Sequence, residues 1–118
     1  MKDLDGIDAG VYVAGQIIVS DIPFLVNMGI HAIICNRPDG EAKEQPSFFV
    51  IQKAAVIYGI DAYYLPIFSS GVTESNIQDM MTLLSKGKYP LFLYCRSGKR
   101  SDILYKLVKK RMEEASHA

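Results

Sequence analysis

The sequence predicts an α/β fold of three layers, a mostly parallel central sheet flanked by helices. Two observations carry this. Short apolar runs alternate with helix-period segments four times along the chain, which is the order of strand–helix–strand units. Two of those runs, "HAIICN" and "YPLFLYC", read as buried strands, the second being the most hydrophobic in the chain. No repeat, low-complexity tract or linker interrupts the 118 residues, so one domain, residues 1–118, is expected.

Each element has its own local cause. "GVYVAGQI" reads as one or two short strands. Ser20 can cap a helix through "DIPFLVNMG", with Pro23 tolerable in its first turn and Gly29 closing it. After the "HAIICN" strand, "RPDGEAKEQ" has turn chemistry and no apolar period. "PSFFVIQKAAVIYG" then reads as a helix between Pro46 and Gly59, with apolar residues at Phe48, Phe49, Ile51, Ala55, Val56 and Ile57. "IDAYYLPI" is a strand and "FSSG" a loop. Thr73 can cap a helix from Glu74 to Lys86 whose Ile77, Met80, Met81 and Leu84 share one face. "YPLFLYC" follows, and "SDILYKLVKKRMEEAS" closes the chain as a helix.

Composition excludes several classes of function. The net charge is zero and the pI about 6.7, so no general attraction to nucleic acid or to an anionic membrane is expected. No apolar run approaches the ~20 residues that span a bilayer. The first residues, "MKDLDGID", are acidic and lack the apolar core of a secretion signal, which makes a cytoplasmic location the expectation. Cys35 and Cys95 are too few for a disulfide scaffold.

The chemistry concentrates in "LFLYCRSGKRSDILYKLVKKR". Cys95 ends a strand at the sheet edge where ligands of α/β proteins bind, and Ser101 and Asp102 are expected to begin the next helix. Unpartnered amides of the loop and of that helix's first turn can point at an anion, aided by the helix dipole. Gly98 lets the loop curl, and Arg100 can offer a planar fork to two oxygens of one oxyanion. The same groups would hold Cys95 as a thiolate, placing a nucleophile beneath the group it attacks. A buried core cysteine beside a solvated basic turn is the plainer alternative. A nucleotide-binding P-loop is disfavoured because Leu93 stands where that motif needs glycine and Ser/Thr does not follow Lys99 directly.

"YCRSGKRS" resembles the active-site loop shared, in variants, by cysteine-dependent protein phosphatases and rhodanese-type sulfurtransferases. Together with "GQIIVSDIPFLVNMGIHAIICNRPDGEAKEQPS" and "AAVIYGIDAYYLPI", it is similar to the bacterial phosphatase-like domain of the beta-lactamase hydrolase-like proteins, found alone or fused to persulfide dioxygenases. The likeness covers about residues 6–110. It implies a dual-specificity-phosphatase-like fold, Cys95 as nucleophile, Arg100 as oxyanion binder, Arg96, Ser97, Gly98 and Lys99 as the amide cradle, and Ser101 as a hydroxyl partner of the thiolate. It also implies a small oxyanion, a persulfide or a phosphorylated compound as substrate, a functional link to a persulfide dioxygenase, and no cofactor.

Two departures from the phosphatase pattern bear on the reaction. Four residues separate Cys95 from Arg100, one fewer than in the classical tyrosine phosphatases, so the amide ring is closer to that of rhodaneses. The loop "LPIFSSGVTES" lacks the aspartate that would protonate a leaving alkoxide or phenoxide, a loss of ~10²–10⁴ in rate. Sulfur transfer needs no such donor, since sulfite or a thiolate leaves readily. Sulfurtransfer through a Cys95 persulfide is therefore the leading expectation, with phosphomonoester hydrolysis through a phosphocysteine second. A binding module without turnover is third. Within "NRPDGE", Asp39 could reach the loop as substitute acid, or could merely organise its turn. Arg37 could add substrate contacts. Cys35 could serve as a second thiol or belong to the core. His31 is expected at the opposite sheet edge and His117 in the tail, so no metal site is expected. Tyr94 replaces the histidine common before the phosphatase cysteine.

Overall fold

The computed structural model describes residues 4–116. Five strands form one sheet: β1 (Asp5–Asp8), β2 (Val11–Ala14), β3 (Ala32–Cys35), β4 (Asp61–Tyr64) and β5 (Leu91–Tyr94), in the spatial order β1-β2-β5-β3-β4. β2, β5, β3 and β4 run parallel, and only β1 is antiparallel, paired to β2. Four helices cover the faces: α1 (Ile22–Asn27), α2 (Phe48–Ile57), α3 (Glu74–Ser85) and α4 (Lys99–Ser116).

Strand alternation sorts the core into two layers. On one face Leu91 and Leu93 of β5 and Ala32 and Ile34 of β3 pack with Met80 and Leu84 of α3 and Leu104 and Val108 of α4. On the other face Phe92, Tyr94, Ile33 and Cys35 pack with Ile22 and Leu25 of α1 and Ile51 and Ala55 of α2. Every residue of β3 and β5 is buried, because these central strands are covered on both sides. Tyr94 thus becomes a core residue on the α1–α2 side, 1% exposed. Among the described residues, no helix is long and apolar enough to cross a membrane.

Most expected boundaries fall within one or two residues of those observed. Ser47 caps α2 through its hydroxyl, which accepts from Val50 N–H. Thr73 and Asn76 form a reciprocal capping box on α3. Three expectations need correction. Residues 5–8, given no element from the sequence, form edge strand β1, whose pattern is nearly all exposed and so carries no apolar signal. Ser20 does not cap α1; it lies inside a 3₁₀ turn, Val19–Asp21, and the Asp21 carboxylate accepts from Ile18 N–H instead. α4 begins at Lys99 rather than Ser101, so Arg100 belongs to the helix's first turn.

This topology positions everything that follows. The carboxyl ends of β2, β5, β3 and β4 share one edge, and their connecting segments converge there: Gly15–Gln16, Cys95–Gly98, Asn36–Glu41 and the loop after Tyr64.

Candidate active site

Cys95 follows directly on β5 and is fully buried. Its backbone N–H donates to Ala14 O at 3.3 Å, extending the β2–β5 ladder by one residue. The chain then turns sharply, and Gly98 N–H donates back to Cys95 Sγ at 3.0 Å. That turn requires glycine: Gly98 has φ +95°, and a Cβ there would lie 3.4 Å from the carbonyl of Ala14. The neighbouring strand makes a matching concession. A Cβ on Gly15 would stand 2.9 Å from Arg96 O, so the chain after β2 can pass beneath the loop only as glycine.

Burial alone would push the Cys95 thiol up, but the surrounding donors outweigh it and hold the thiol below its ordinary value. The amide and hydroxyl of Ser101 contribute most, followed by the amides of Ser97 and Gly98. Only the Gly98 contact is a short hydrogen bond; the others act at longer range. Ser101 is wholly buried, and its Oγ has no hydrogen-bond partner among the described residues, which leaves it available to the sulfur. The Lys99 amide takes Ser97 Oγ at 3.4 Å, and the Arg96 and Lys99 side chains are exposed. Neither donates to the Cys95 sulfur, whose donors are Ser97, Gly98 and Ser101.

Arg100 is held firmly. Its Nη1 donates to Ile67 O at 2.7 Å and to Glu41 Oε2 at 2.8 Å, while Nη2 donates to Glu41 Oε1 at 2.8 Å. Ile67 is itself anchored, since its N–H donates to Asn36 O, and buried Asn36 donates from Nδ2 to Leu65 O at 2.9 Å. Arg100 pulls the Glu41 carboxyl down to about 2, with Arg37 adding to the effect. The Cys95 sulfur in turn helps keep the Arg100 guanidinium charged.

The other expected residues are placed differently. Arg37, expected as a substrate contact, is 5% exposed; its Nε donates to Glu41 at 3.2 Å and its Nη1 to Gln16 Oε1 at 3.1 Å. It is part of the frame behind Arg100. Asp39, expected as substitute acid, uses Oδ1 to accept Phe48 N–H at 2.8 Å, anchoring the start of α2. Its own N–H donates to the hydroxyl of Tyr64, whose ring stacks on Phe48. One carboxylate oxygen of Asp39 is thereby committed to α2 rather than to the Cys95 loop. Cys35 is 2% exposed and donates from Sγ to Arg37 O; burial pushes its thiol up to about 11, that of a neutral core residue. Glu74 pairs with Arg111 across the α3–α4 seam. His31 N–H bonds Pro90 O at the far sheet edge, and His117 lies outside the described residues. Among the described residues no cluster of His, Cys, Asp and Glu gathers to hold a metal.

Three functional positions escaped the sequence reading: Gly15, Gln16 and Glu41. "GQ" directly after a strand was a usable signal for close backbone approach. Glu41 carried none, because its partner lies 59 residues away.

These thiols should separate cleanly by pH. A depressed acid keeps its reactive anion to lower pH, so iodoacetamide is expected to label Cys95 at lower pH than an ordinary thiol. Cys35 should remain unlabelled until unfolding or until pH approaches 11. Peptide mass mapping across a pH series checks this.

The family described as "Beta-lactamase hydrolase-like protein, phosphatase-like domain" matches residues 3–111. A beta-lactamase hydrolase-like protein of Agrobacterium fabrum is 34% identical over 95 residues, which are 80% of this chain and 22% of that protein. One from Xylella fastidiosa strain Temecula1 is 30% identical over 107 residues, 91% of this chain and 25% of its own length. The chain thus spans about a quarter of these curated relatives. Among solved structures, a phosphatase candidate from Neisseria meningitidis Z2491 superposes with a TM-score of 0.79 at 29% identity, covering 89% of this chain and 74% of that one. The catalytic core of the yeast PP-IP phosphatase Siw14 shares the fold, with a TM-score of 0.71 at 16% identity over 91% of this chain and 64% of its own.

Proposed function

Because this chain belongs to the phosphatase-like domain family of the beta-lactamase hydrolase-like proteins, we propose that it is a cysteine-dependent phosphomonoester hydrolase. One observation carries the reading: a thiol held toward its anion, with Gly98 N–H 3.0 Å from the sulfur and Arg100 beside it, at the carboxyl edge of a phosphatase-like sheet. Cys95 Sγ attacks phosphorus and the bond to the leaving oxygen breaks, giving a phosphocysteine. Water then attacks phosphorus, releases inorganic phosphate and regenerates the thiolate. The Ser97, Gly98 and Ser101 amides and Arg100 offset the charge that builds on the phosphoryl oxygens.

With Asp39 Oδ1 engaged on α2 and Glu41 paired to Arg100, no other carboxylic acid among the described residues is seen at the Cys95 loop, which favours substrates whose leaving group departs as a stable anion. An apolar groove of about 380 Å³ beside Arg100, lined by Ile67, Phe68, Val72, Ile103 and Leu107, suits an aryl group of that kind.

The chemistry of the loop alone puts sulfurtransfer first; family membership and the phosphatase-fold neighbours support hydrolysis better. Sulfurtransfer stays as the second reading on one specific observation, the four-residue Cys95–Arg100 spacing with no acid beside it. There Cys95 thiolate takes the outer sulfur of thiosulfate, sulfite leaves, and cyanide or a thiol accepts the sulfur from the persulfide.

The test supplies an aryl phosphate in one reaction and thiosulfate with cyanide in another. Phosphate release without thiocyanate is the expected result. Thiocyanate without phosphate overturns the proposal in favour of sulfurtransfer. Neither product, with a melting temperature raised by phosphate, leaves an oxyanion-binding module.

A further inference from the structure

We infer that Glu41 is a positioning residue that turns Arg100 so that one particular edge of its guanidinium binds two oxygens of the substrate's oxyanion. This rests on the reading of the Cys95 loop as an oxyanion site, whichever group is transferred.

The argument begins with a donor count. A guanidinium has five N–H donors in a rigid plane. Both protons of Arg100 Nη1 are taken, by Glu41 Oε2 and Ile67 O, and one proton of Nη2 is taken by Glu41 Oε1. What remains is the Nε–H and the second Nη2–H, which lie parallel on one edge. That edge is a complete bidentate fork. Glu41 therefore does not fill the substrate's place; it occupies the end of the guanidinium and leaves the side open.

Glu41 is itself placed by contacts that close on the loop they serve. Arg37 Nε donates to Glu41 Oε1 at 3.2 Å, and Arg37 Nη1 donates to Gln16 Oε1 at 3.1 Å. Gln16 Nε2 donates to Ile17 O at 2.8 Å, and Gln16 N–H donates to Arg96 O at 3.3 Å. The path runs from the Cys95 loop through Gln16, Arg37 and Glu41 and back to Arg100. Arg37 is buried, Gln16 and Arg100 are half-buried, and Glu41, though an exposed residue, keeps its side chain only 23% exposed between the two arginines, so the ring is restrained. A flexible arginine would lose rotamer freedom on binding; here that cost is met before the ligand arrives.

Positioning and competition make opposite predictions, which gives the test. Binding of inorganic phosphate and of sulfate is measured by calorimetry on wild type, Glu41→Gln, Glu41→Asp and Arg100→Ala. Positioning predicts that Glu41→Gln weakens both anions about tenfold and raises KM similarly, as loss of a charge-assisted contact would. The rate of Cys95 labelling by iodoacetamide at pH 7 should stay within about twofold, since the amides, not Glu41, hold the thiolate. Glu41→Asp, keeping the charge on a shorter stem, should fall between the two and serves if the glutamine variant does not fold. Unchanged or tighter anion binding in either variant overturns the inference and would make Glu41 a bystander or a competitor. Labelling that collapses together with binding overturns it as well, since Glu41 would then merely hold the loop. If wild type binds neither anion and matches Arg100→Ala, the oxyanion site itself fails, and the inference with it.

Discussion

Cys95→Ser is expected to abolish phosphate release from an aryl phosphate, by a factor on the order of 10⁴ or more, with little change in melting temperature. The hydroxyl fits where the thiol was and still accepts from Gly98 N–H, so folding is spared. The chemistry is not, because the donors that bring a thiol down to its anion start from a group already close to ionisation. An alcohol starts far above it, and among the described residues no general base stands beside Cys95 to make up the difference. Residual turnover within about tenfold of wild type would place the reacting atom elsewhere. The measurement pairs steady-state phosphate release with thermal unfolding of the same preparation.

Arg100→Ala is the second large loss, about 10³-fold in kcat/KM. Two donors vanish from the face that meets the substrate. The frame is disturbed too: Ile67 O loses its partner, and Glu41 keeps only Arg37. One half-buried contact such as that to Ile67 O is worth about 1 kcal/mol in stability, so unfolding in urea should register it. Arg100→Lys discriminates charge from geometry. A lysine retains the positive charge but offers a point donor on a flexible stem, without a planar fork. It is expected to recover little of the lost activity. Activity near wild type in Arg100→Lys would mean that charge alone suffices and that the fork is dispensable.

Much of this molecule was legible before any coordinates. The strands at "HAIICN" and "YPLFLYC" announced themselves because central strands must be apolar on both faces. Thr73 marked a helix start, since an orphan amide needs a side-chain acceptor close in sequence. Cys95, Gly98, Arg100 and Ser101 could be singled out together because one tight loop makes neighbours in sequence into neighbours in space. Local chemistry of this kind is written where it acts.

What lay beyond the sequence is whatever depends on partners far along the chain. β1 was invisible because an exposed acidic edge strand has no apolar pattern, and only its pairing with β2 makes it a strand. Asp39 and Glu41 sit two residues apart in one turn, and the sequence pointed to Asp39 alone as an acid. Packing gave the first to Phe48 N–H and the second to Arg100. Arg37 looked like a substrate contact until the fold buried it against Gln16. Hydrophobic period and short-range donors were enough to read the layers and the cysteine loop from the chain alone. Which charges pair with each other and which stay open at the Cys95 loop came only with the folded chain, because that choice rests on distances between separate sheet-edge loops that no local pattern encodes.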